Sequence, residues 1–441
     1  MDEIRQLADP DRRTAARDAL VAMGPVAVGP LLHELLDERS PVSWWDLEAV
    51  LHRIGPAGFD EARGALAGAS GTEARRRAGR VFSGYGPVDR YLAAVSDPAP
   101  VVRLWAVRGV ARSLDPEGSA AGPSAEAGSP LVRRAVDALL PLLGDADAEV
   151  AEGAQFALTR LGRDAVPALR RARLEGPGRV RARALTALAE AGGEEALSPA
   201  DRAVVDRLIR IKLSSDVPEP LAGCWPCWIA VPGGDQQGIS ALLGLTSPRP
   251  ATFALGADVV DCDTHDRTDE GPRALGRVYL TPEVDGWTLV LGAWCDPCDE
   301  ERADEVLDLC LRLSERYGHA QAYYYGAQGD GSAWLVAEGG TAVRRYSATG
   351  EAGDALLALG EPLPQEEALR AELGLPPDGA ESEDEADEWL SAAFGLTPAV
   401  AAALSVNPLS LGPHTQVRGT GLIALTPYGV EYGVPAGAYR I

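Results

Sequence analysis

Apolar residues recur at helical spacing through the first half of the chain, and glycine-proline pairs interrupt them at a constant interval. The pairs Gly24-Pro25, Gly55-Pro56 and Gly86-Pro87 follow one another at equal steps. Glycine ends helices because it accepts the left-handed conformation at the C-terminal cap, and proline suits the first turn of the next helix. The pattern therefore predicts a two-helix unit that repeats along the chain with a period of about 31 residues.

The period continues beyond one interruption. Gly162 and Gly193 are separated by the same step, whereas the distance from Gly86 to Gly162 is longer than two such steps. The surplus nearly equals the length of the segment 116–130, which is rich in Pro, Gly, Ser and Ala and predicts a flexible insertion. We therefore expect residues 1–216 to form one helical-repeat domain that carries this insertion.

Two segments at predicted helix junctions resemble the HEAT-repeat family. Residues 97–103 and 145–150 contain an Asp followed by Val-Arg or a similar pair, as the family has between its two helices. The alanine-rich stretch 184–188 is similar to the family's second helix. The resemblance covers about residues 11–213 and implies an all-α solenoid. It leaves function open, since solenoids serve as scaffolds, carriers and some enzymes.

Beyond residue 216 the apolar residues form short runs between Gly, Pro and Asp. Strands are predicted at residues 228–231, 251–255, 277–280, 287–291, 320–325, 333–337, 342–346 and 421–426. Residues 300–317 instead show the spacing of one amphipathic helix. We therefore expect residues 217–441 to form an α+β domain with a mixed or antiparallel sheet, and residues 376–388 to form a mobile acidic loop.

Charge separates the same two halves. The 441-residue chain has a net charge of −24, and residues 217–441 carry 12 Arg or Lys against 34 Asp or Glu. Residues 1–216 are almost neutral, with 29 basic against 31 acidic residues. An acidic second half disfavours nucleic acid as a partner. Because no apolar run or leader is evident and six cysteines make no disulfide framework, we expect a cytoplasmic protein without a membrane partner.

Arginines on the predicted repeat helices form a candidate binding surface. In HEAT-like arrays the second helix of each pair lines the concave side, and the planar arginine fork suits carboxylate partners. We therefore expect an acidic protein partner, which could be the second half of the chain itself. The alternative is that these arginines form i,i+4 pairs on solvated helix flanks. The candidate residues are Arg75, Arg76, Arg80, Arg103, Arg108, Arg112, Arg179 and Arg183.

Aromatic residues suggest two further surfaces. Tyr323, Tyr325 and Trp334 lie in a segment of high aromatic density and are candidate recognition residues, although alternate positions of a strand would be core. Residues 44–46, Trp-Trp-Asp, resemble the paired tryptophans and Asp of HEAT-like DNA glycosylases. That resemblance would imply recognition of a nucleobase on the concave face. A single tryptophan pair is a short motif, and we predict no nucleic-acid partner.

Two CxxC pairs form the sharpest candidate metal site. Cys224 and Cys227, together with Cys295 and Cys298, could supply four thiolates to a structural zinc ion. The alternative is that these are free thiols near strand ends. Residues 294–298, Trp-Cys-Asp-Pro-Cys, also resemble the thioredoxin active site, which would imply Cys295 as nucleophile and Cys298 as resolving thiol. Acidic residues around that motif oppose a thiolate.

These patterns predict a non-enzymatic cytoplasmic adaptor or scaffold that binds a protein through its helical repeats. One alternative is an immunity protein, whose acidic half would block the basic active site of a toxin. A second alternative is a thiol-redox or zinc-stabilised domain built on the CxxC pairs. No catalytic residue is predicted, because the sequence lacks a serine-hydrolase order, a phosphate loop and a metalloprotease motif. No cofactor is predicted apart from zinc at the CxxC pairs.

Overall fold

A computed structural model of the chain describes residues 2–114, 128–221, 223, 226–265, 272–299, 301–326, 331–348, 358–376 and 382–435. The chain divides into two compact units, Met1–Leu197 and Ser198–Ile441. In their described parts the first unit is helical, and the second combines an antiparallel sheet with helices. The predicted two-domain α+β arrangement is therefore confirmed.

The first unit is a succession of short helices joined by tight turns. Most of the predicted insertion lies outside the described residues, which resume at Gly128. Within residues 2–114 and 128–197 the helices are α1 (Asp2–Gln6), α2 (Arg13–Met23), α3 (Val28–Leu36), α4 (Trp44–Ile54), α5 (Phe59–Gly68), α6 (Thr72–Ser83), α7 (Val88–Ala94), α8 (Pro100–Leu114), α9 (Pro130–Leu139), α10 (Ala148–Arg160), α11 (Val166–Glu175) and α12 (Gly178–Ala196).

The even-numbered helices form a continuous row. Helix α2 packs on α4, α4 on α6, α6 on α8, α8 on α10 and α10 on α12. From α3 onward, each odd-numbered helix packs against the even-numbered helix that follows it. Aromatic rings pack where α5, α6 and α7 meet. The centroid of the Phe59 ring lies 4.8 Å from that of the Phe82 ring and 5.4 Å from that of the Tyr91 ring. The row brings side chains of successive even-numbered helices next to one another.

Most of the predicted glycine stops have the backbone geometry of a helix end. Gly24 and Gly55 cap α2 and α4 with φ of +61° and +82°. Gly162, just after α10, has φ of +54°, and α12 is interrupted at Gly193 with φ of +58°. Gly86 does not have a positive φ, because α6 already ends before it. A positive φ at these four positions suits glycine, because a residue with a Cβ atom would be strained there by about 1–3 kcal/mol.

In the second unit the described strands form one antiparallel sheet. They are β1 (Cys227–Pro232), β2 (Thr246–Ala251), β3 (Arg277–Leu280), β4 (Glu283–Val284), β5 (Trp287–Leu291), β6 (His319–Gly326), β7 (Gly331–Glu338), β8 (Thr341–Ala348), β9 (Val417–Arg418) and β10 (Gly421–Leu425). Their spatial order is β2-β10-β3-β5-β1-β6-β7-β8, with β4 beside β5 and β9 beside β4. Every pairing is antiparallel.

The helices of the second unit lie before, between and after these strands. Within its described residues they are α13 (Pro199–Leu213), α14 (Gln236–Leu243), α15 (Phe253–His265), α16 (Ala303–Tyr317), α17 (Pro364–Leu373), α18 (Glu383–Ala393), α19 (Thr397–Leu404) and α20 (Pro427–Tyr432). Helix α16 matches the predicted amphipathic helix.

The two faces of the central strands have different linings. Ile229 and Leu335 belong to an aliphatic core that includes Val306 and Leu313 of α16. Because side chains alternate along a strand, the neighbouring positions face the other way. On that face four aromatic residues are cross-strand neighbours over β1, β6, β7 and β8. They are Trp228, Tyr323, Trp334 and Tyr346.

Three sequence-based boundaries need correction. Helix α13, assigned to the first half because of its helical spacing, belongs to the second unit, where Asp206 accepts a hydrogen bond from Arg249 of β2 at 2.6 Å. The strand predicted at 251–255 covers the junction at which β2 ends and α15 begins. The predicted loop 376–388 is helical from residue 383, because Ser382 caps α18 and acidic residues suit the N-terminus of a helix. Residues 377–381 of that loop lie outside the described residues.

One helical stretch passes a length and composition test for a membrane span. It is Arg13–Leu36, 24 residues long, with 33% of the tested window buried. It comprises α2, a short 3-10 turn and α3. Core helices of soluble proteins pass the same test, so the stretch decides nothing about location.

Candidate functional site

Towards the N-terminal end of the even-numbered row, two tryptophans stack on each other beneath arginines. Trp44 and Trp45 open α4, and their ring centroids are 3.8 Å apart. The guanidinium carbon of Arg76 lies 5.0 Å from the centre of the Trp44 ring, and that of Arg80 lies 4.7 Å from the Trp45 ring. Trp45 nevertheless remains 53% exposed. This end of the row therefore combines apolar surface with positive charge.

The same combination recurs on α8. The guanidinium carbon of Arg108 lies 4.4 Å from the centre of the Trp105 ring. Trp105 approaches α6 closely because Gly79 has no side chain, and a Cβ atom there would lie 1.9 Å from the indole. Gly79 thus permits the indole to lie between α6 and α8.

Two adjoining depressions cross α6, α8 and α10. Their volumes are about 700 and 760 Å³, and Leu104, Arg108 and Glu149 line both of them. Trp105 lines the first depression, and Phe156 of α10, which is 55% exposed, lines the second. We call the two depressions together the groove. It exposes aromatic rings from two successive even-numbered helices.

Basic residues outnumber acidic residues in the groove. The acidic ones all come from the first part of α10 and its cap, whereas α6 and α8 contribute only basic ones. An anionic ligand would therefore be favoured over α6 and α8. The charged lining residues are Arg75, Arg76, Arg108, Arg112, Arg160, Asp147, Glu149 and Glu152.

One predicted binding arginine is structural. Arg103 donates two hydrogen bonds to Asp145, at 2.9 and 2.8 Å, and a third to the carbonyl of Asp97 at 2.9 Å. Only 15% of its side chain is exposed. The pair ties the first turn of α8 to the segment before α10, so Arg103 is engaged within the unit and not available to a partner.

The other predicted arginines differ in position. Arg75, Arg76, Arg108 and Arg112 line the groove, and Arg80 lies beside it, over Trp45. Arg76 also donates a hydrogen bond at 2.7 Å to Glu73, three residues earlier on its own helix, whereas the helix-flank alternative predicted pairs four residues apart. The two remaining candidates, Arg179 and Arg183, lie on α12 and do not line the groove.

Asp46 does not match the role that the DNA-glycosylase resemblance implies. It is buried, accepts a hydrogen bond from Arg17 and lies 3.4 Å from the guanidinium of Arg13. A carboxylate that is enclosed and neutralised by two arginines has no access to a flipped base. Asp46 therefore anchors the start of α4 to α2.

A partly buried imidazole lies on the same helix as the two tryptophans. The pKa of His52 is lowered, chiefly because burial disfavours the charged ring. Arg112 and Arg80 lower the pKa further, while Glu48 opposes them. Among the described residues Nε2 of His52 has no hydrogen-bond partner. The ring is thus held neutral beneath the basic surface.

Two of the three predicted aromatic recognition residues are core residues. Tyr323 and Trp334 are fully buried, and Tyr323 stacks on Trp228 with 5.0 Å between ring centroids. The indole of Trp334 donates a hydrogen bond to Glu366 at 2.9 Å. Tyr325 is partly exposed near the end of β6. The aromatic density of this segment therefore reflects strand packing, which corrects the prediction of a recognition surface there.

The fold brings parts of the two CxxC pairs together. Cys227 begins β1, and its carbonyl accepts a hydrogen bond from the Gly292 amide at 3.1 Å, which places the loop with Cys295 and Cys298 beside it. Cys224 lies outside the described residues. Among the residues that are described, no group of three or more His, Cys, Asp or Glu side chains is already arranged to hold a metal ion. A zinc site built from four cysteines therefore stays a prediction.

Cys295 lacks the properties of a thioredoxin nucleophile. It is fully buried, and burial raises its pKa to about 12. The catalytic thiol of that family sits at a helix N-terminus that favours the thiolate. Here α16 begins only at Ala303, well beyond Cys295 in the chain. Burial and position both argue against the redox alternative.

Sequence reasoning missed three residues of the groove, namely Trp105, Phe156 and Arg160. Their signal was the spacing of an aromatic and a basic residue on one helix face, i,i+3 for Trp105 and Arg108 and i,i+4 for Phe156 and Arg160. The guanidinium of Arg160 lies 6.0 Å from the Phe156 ring. Such pairs on the polar side of a helix mark exposed aromatics.

Comparison with known proteins adds no identification. No protein-family model matches the chain, and no curated protein matches it significantly. Among solved structures, the crystal structure of an engineered protein matches at 18% identity and covers 42% of this chain and 92% of its own. Its TM-score of 0.19 is too low to support an argument about fold or function.

Proposed function

We propose that the chain is a non-enzymatic, cytoplasmic adaptor that binds an acidic segment of a partner protein in the groove. The proposal extends the HEAT-type resemblance to the whole helical unit, with the even-numbered helices as its concave row. One observation carries it: α6, α8 and α10 together present aromatic rings and arginines in two adjoining depressions. Such a surface supplies apolar contact area and carboxylate recognition at the same place.

The arginines of the groove are held in place before a ligand arrives. Arg76 and Arg108 each lie over an indole ring, and Arg76 is also hydrogen-bonded to Glu73. A guanidinium that is already ordered loses less side-chain entropy when it pairs with a carboxylate. The partly exposed ring of Trp105 and the exposed ring of Phe156 offer contacts for an apolar residue of the same segment.

The geometry sets the size of the segment. Packed helices lie about 8–10 Å apart, so three successive even-numbered helices span roughly 20 Å. An extended peptide rises about 3.3 Å per residue and would cross that distance with about six residues. We therefore expect recognition of a short acidic stretch that contains at least one apolar side chain, such as Asp-Glu-Leu-Glu-Asp.

Fluorescence anisotropy with labelled acidic octapeptides, each containing one Leu or Phe, tests the proposal on the full chain. The double variant Arg76→Glu/Arg108→Glu should weaken binding at least about tenfold, since two charge-assisted contacts become repulsive. Arg171→Glu, a single reversal at an exposed position of α11 outside the groove, is the control and should change binding less than about twofold. Binding should also weaken as salt rises.

Two outcomes would contradict this function. Equal weakening by the α11 control would show that the peptides respond only to net charge. A protein partner that binds the double variant as well as the wild type would instead favour the immunity alternative, in which the acidic second unit makes the contact.

A further inference from the structure

An aromatic surface lies beside the groove, at the start of α4. One face of the Trp45 ring is stacked on Trp44, with 3.8 Å between the centroids, and Trp45 is nevertheless 53% exposed. Most of this exposed area therefore lies on the other face and the edge of the ring. Trp45 does not line either depression of the groove, so its ring offers apolar contact area that the proposed function does not yet use.

The charges around this surface are arranged in two layers. The acidic residues of α4, Asp46 and Glu48, are buried. The arginines that face them are more exposed, since the exposed fraction of the side chain is 35% for Arg17 and 42% for Arg80, against 7% and 11% for the two carboxylates. A ligand therefore meets positive charge beside an apolar ring. Such a surface favours a partner with carboxylates next to an apolar side chain.

Arg76 connects this surface to the groove. Its guanidinium carbon lies 5.0 Å from the centre of the Trp44 ring, and the same side chain lines the first depression together with Trp105. Helix α4 packs on α6, and α6 packs on α8. The helices of Trp45 and Trp105 are thus two spacings apart in the row. At about 8–10 Å per spacing this is roughly 16–20 Å, which an extended peptide crosses with about six residues.

We propose that Trp45 and Arg80 form a second subsite, which binds an aromatic side chain of the same acidic segment; this inference rests on the proposed function. The aromatic ring stacks on the exposed part of Trp45, and a neighbouring carboxylate pairs with Arg80. Side chains of an extended peptide alternate in direction, so the aromatic residue lies an even number of residues, about six, from the apolar residue that contacts Trp105. The net charge of −24 disfavours nucleic acid as the ligand.

Fluorescence anisotropy on the full chain tests the subsite with labelled peptides that share the core Asp-Glu-Leu-Glu-Asp. A Gly/Ser spacer, added at either end, places an Asp-Phe or an Asp-Ala pair so that the Phe or Ala lies four, six or eight residues from the Leu. At a spacing of six, with the extension at one of the two ends, Phe should bind wild type about tenfold more tightly than Ala. This Phe advantage should be smaller at the other spacings.

Variants of Trp45 assign the advantage to its ring. Trp45→Ala should reduce it below about twofold, whereas Trp45→Phe, which keeps an aromatic ring, should retain most of it. The core peptide alone should bind Trp45→Ala within about twofold of wild type. Tyr432→Ala removes a side chain of the second unit that is 44% exposed, and it should leave the advantage unchanged. If circular dichroism shows that Trp45→Ala fails to fold, the dependence on spacing in wild type carries the test.

The possible failures are distinguishable. If the core peptide binds but Phe gives no advantage at any spacing, or if the advantage persists in folded Trp45→Ala, the subsite is overturned and the proposed function stands. If no acidic peptide binds wild type, the proposed function is overturned together with the subsite. An oligothymidylate that binds wild type more tightly than the Phe peptide, and loses this binding in Trp45→Ala, would overturn the proposal in favour of a nucleic-acid ligand.

Discussion

The helical unit and the sheet unit use the same residue types in opposite ways. In the helical unit Trp45 is 53% exposed, and Trp105 lines an open depression beneath Arg108. In the sheet unit Trp228 and Trp334 are fully buried and form part of a cross-strand row. Local aromatic density is therefore no guide to recognition. What differs is whether a further layer of structure covers the ring.

Arginines follow the same division. On the groove side of the helical unit, Arg76, Arg108 and Arg112 are exposed. In the sheet unit Arg344 and Arg277 are buried against Glu366 and Asp263. A charge that is removed from water needs a partner, whereas an exposed one is free to select a ligand. The contrast predicts structural roles for buried arginines and binding roles for exposed ones.

The largest expected effect concerns the buried carboxylate beneath the aromatic row. Glu366 accepts hydrogen bonds from Arg344, from the Trp334 indole and from the Leu363 amide. Glu366→Ala leaves the Arg344 charge buried without its partner, and we expect the sheet unit to lose about 3–5 kcal/mol of stability. Hydrogen exchange read peptide by peptide should show faster opening in residues 198–435.

A double variant separates the effect of the unpaired buried charge from the effect of lost packing. Glu366→Leu with Arg344→Met replaces both partners by apolar groups of similar size, and its cost should be clearly smaller than that of Glu366→Ala alone. Faster exchange throughout the helical unit as well would contradict the view that the two units are stabilised by different contacts.

The second prediction concerns arginines inside the helical unit, where the comparison predicts two kinds. Arg103 is 15% exposed and bidentate to Asp145, whereas Arg112 is exposed on the wall of the groove. Arg103→Ala should destabilise this unit by about 1.5–3 kcal/mol, because it removes charge-assisted hydrogen bonds. Arg112→Ala should stay within about 0.5 kcal/mol. Urea unfolding of the full chain measures both, and equal effects would erase the distinction.

Periodicity made the fold class and the position of many elements predictable. Replacing a glycine that has a positive φ costs stability, so the helix ends at Gly24 and Gly55 are marked in the sequence by glycines at a regular interval. Helix α16 was predictable because one face is apolar. The assignment of α13 to a unit was not, since its partner Arg249 is distant in sequence. Apolar residues at helical spacing show that one face of a helix is buried, but they do not identify the element that covers that face.

The candidate site was predictable only in part. Arginine-rich helices identified Arg75, Arg76, Arg108 and Arg112, but they equally included Arg103, whose partner is distant in the sequence. Which arginine has a partner depends on tertiary contacts that single-helix spacing does not encode. The same limit applies to Tyr323 and Trp334, since a half-exposed and a fully covered strand share the same alternation.

The third prediction tests whether the groove depends on close helix packing. Gly79→Ala would place a Cβ atom 1.9 Å from the Trp105 indole, so the ring must move away. We expect a loss of about 1–3 kcal/mol, together with altered tryptophan fluorescence and weaker binding of acidic peptides. Gly64→Ala on α5 is the control, because its Cβ would meet nothing within 4 Å. That change should stabilise α5 by up to about 1 kcal/mol through helix propensity.

The smallest expected effect is a pH dependence of the stability of the helical unit. Burial lowers the pKa of His52 in the folded helical unit below its ordinary value of 6.5. Below that pH the unfolded chain binds a proton that the folded unit does not, so stability falls as pH decreases from 6.5 towards the folded pKa and levels off beneath it. The slope can reach about 1.4 kcal/mol per pH unit.

Hydrogen exchange of the full chain between about pH 5 and 7.5, corrected for the intrinsic exchange rate, measures this slope separately in each unit. His52→Gln should flatten the pH dependence of helical-unit stability over this range. His319→Gln removes an imidazole that is half exposed on β6 and should leave that slope unchanged. An unchanged slope in the His52 variant would mean that groups other than the His52 imidazole control the pH response of the helical unit.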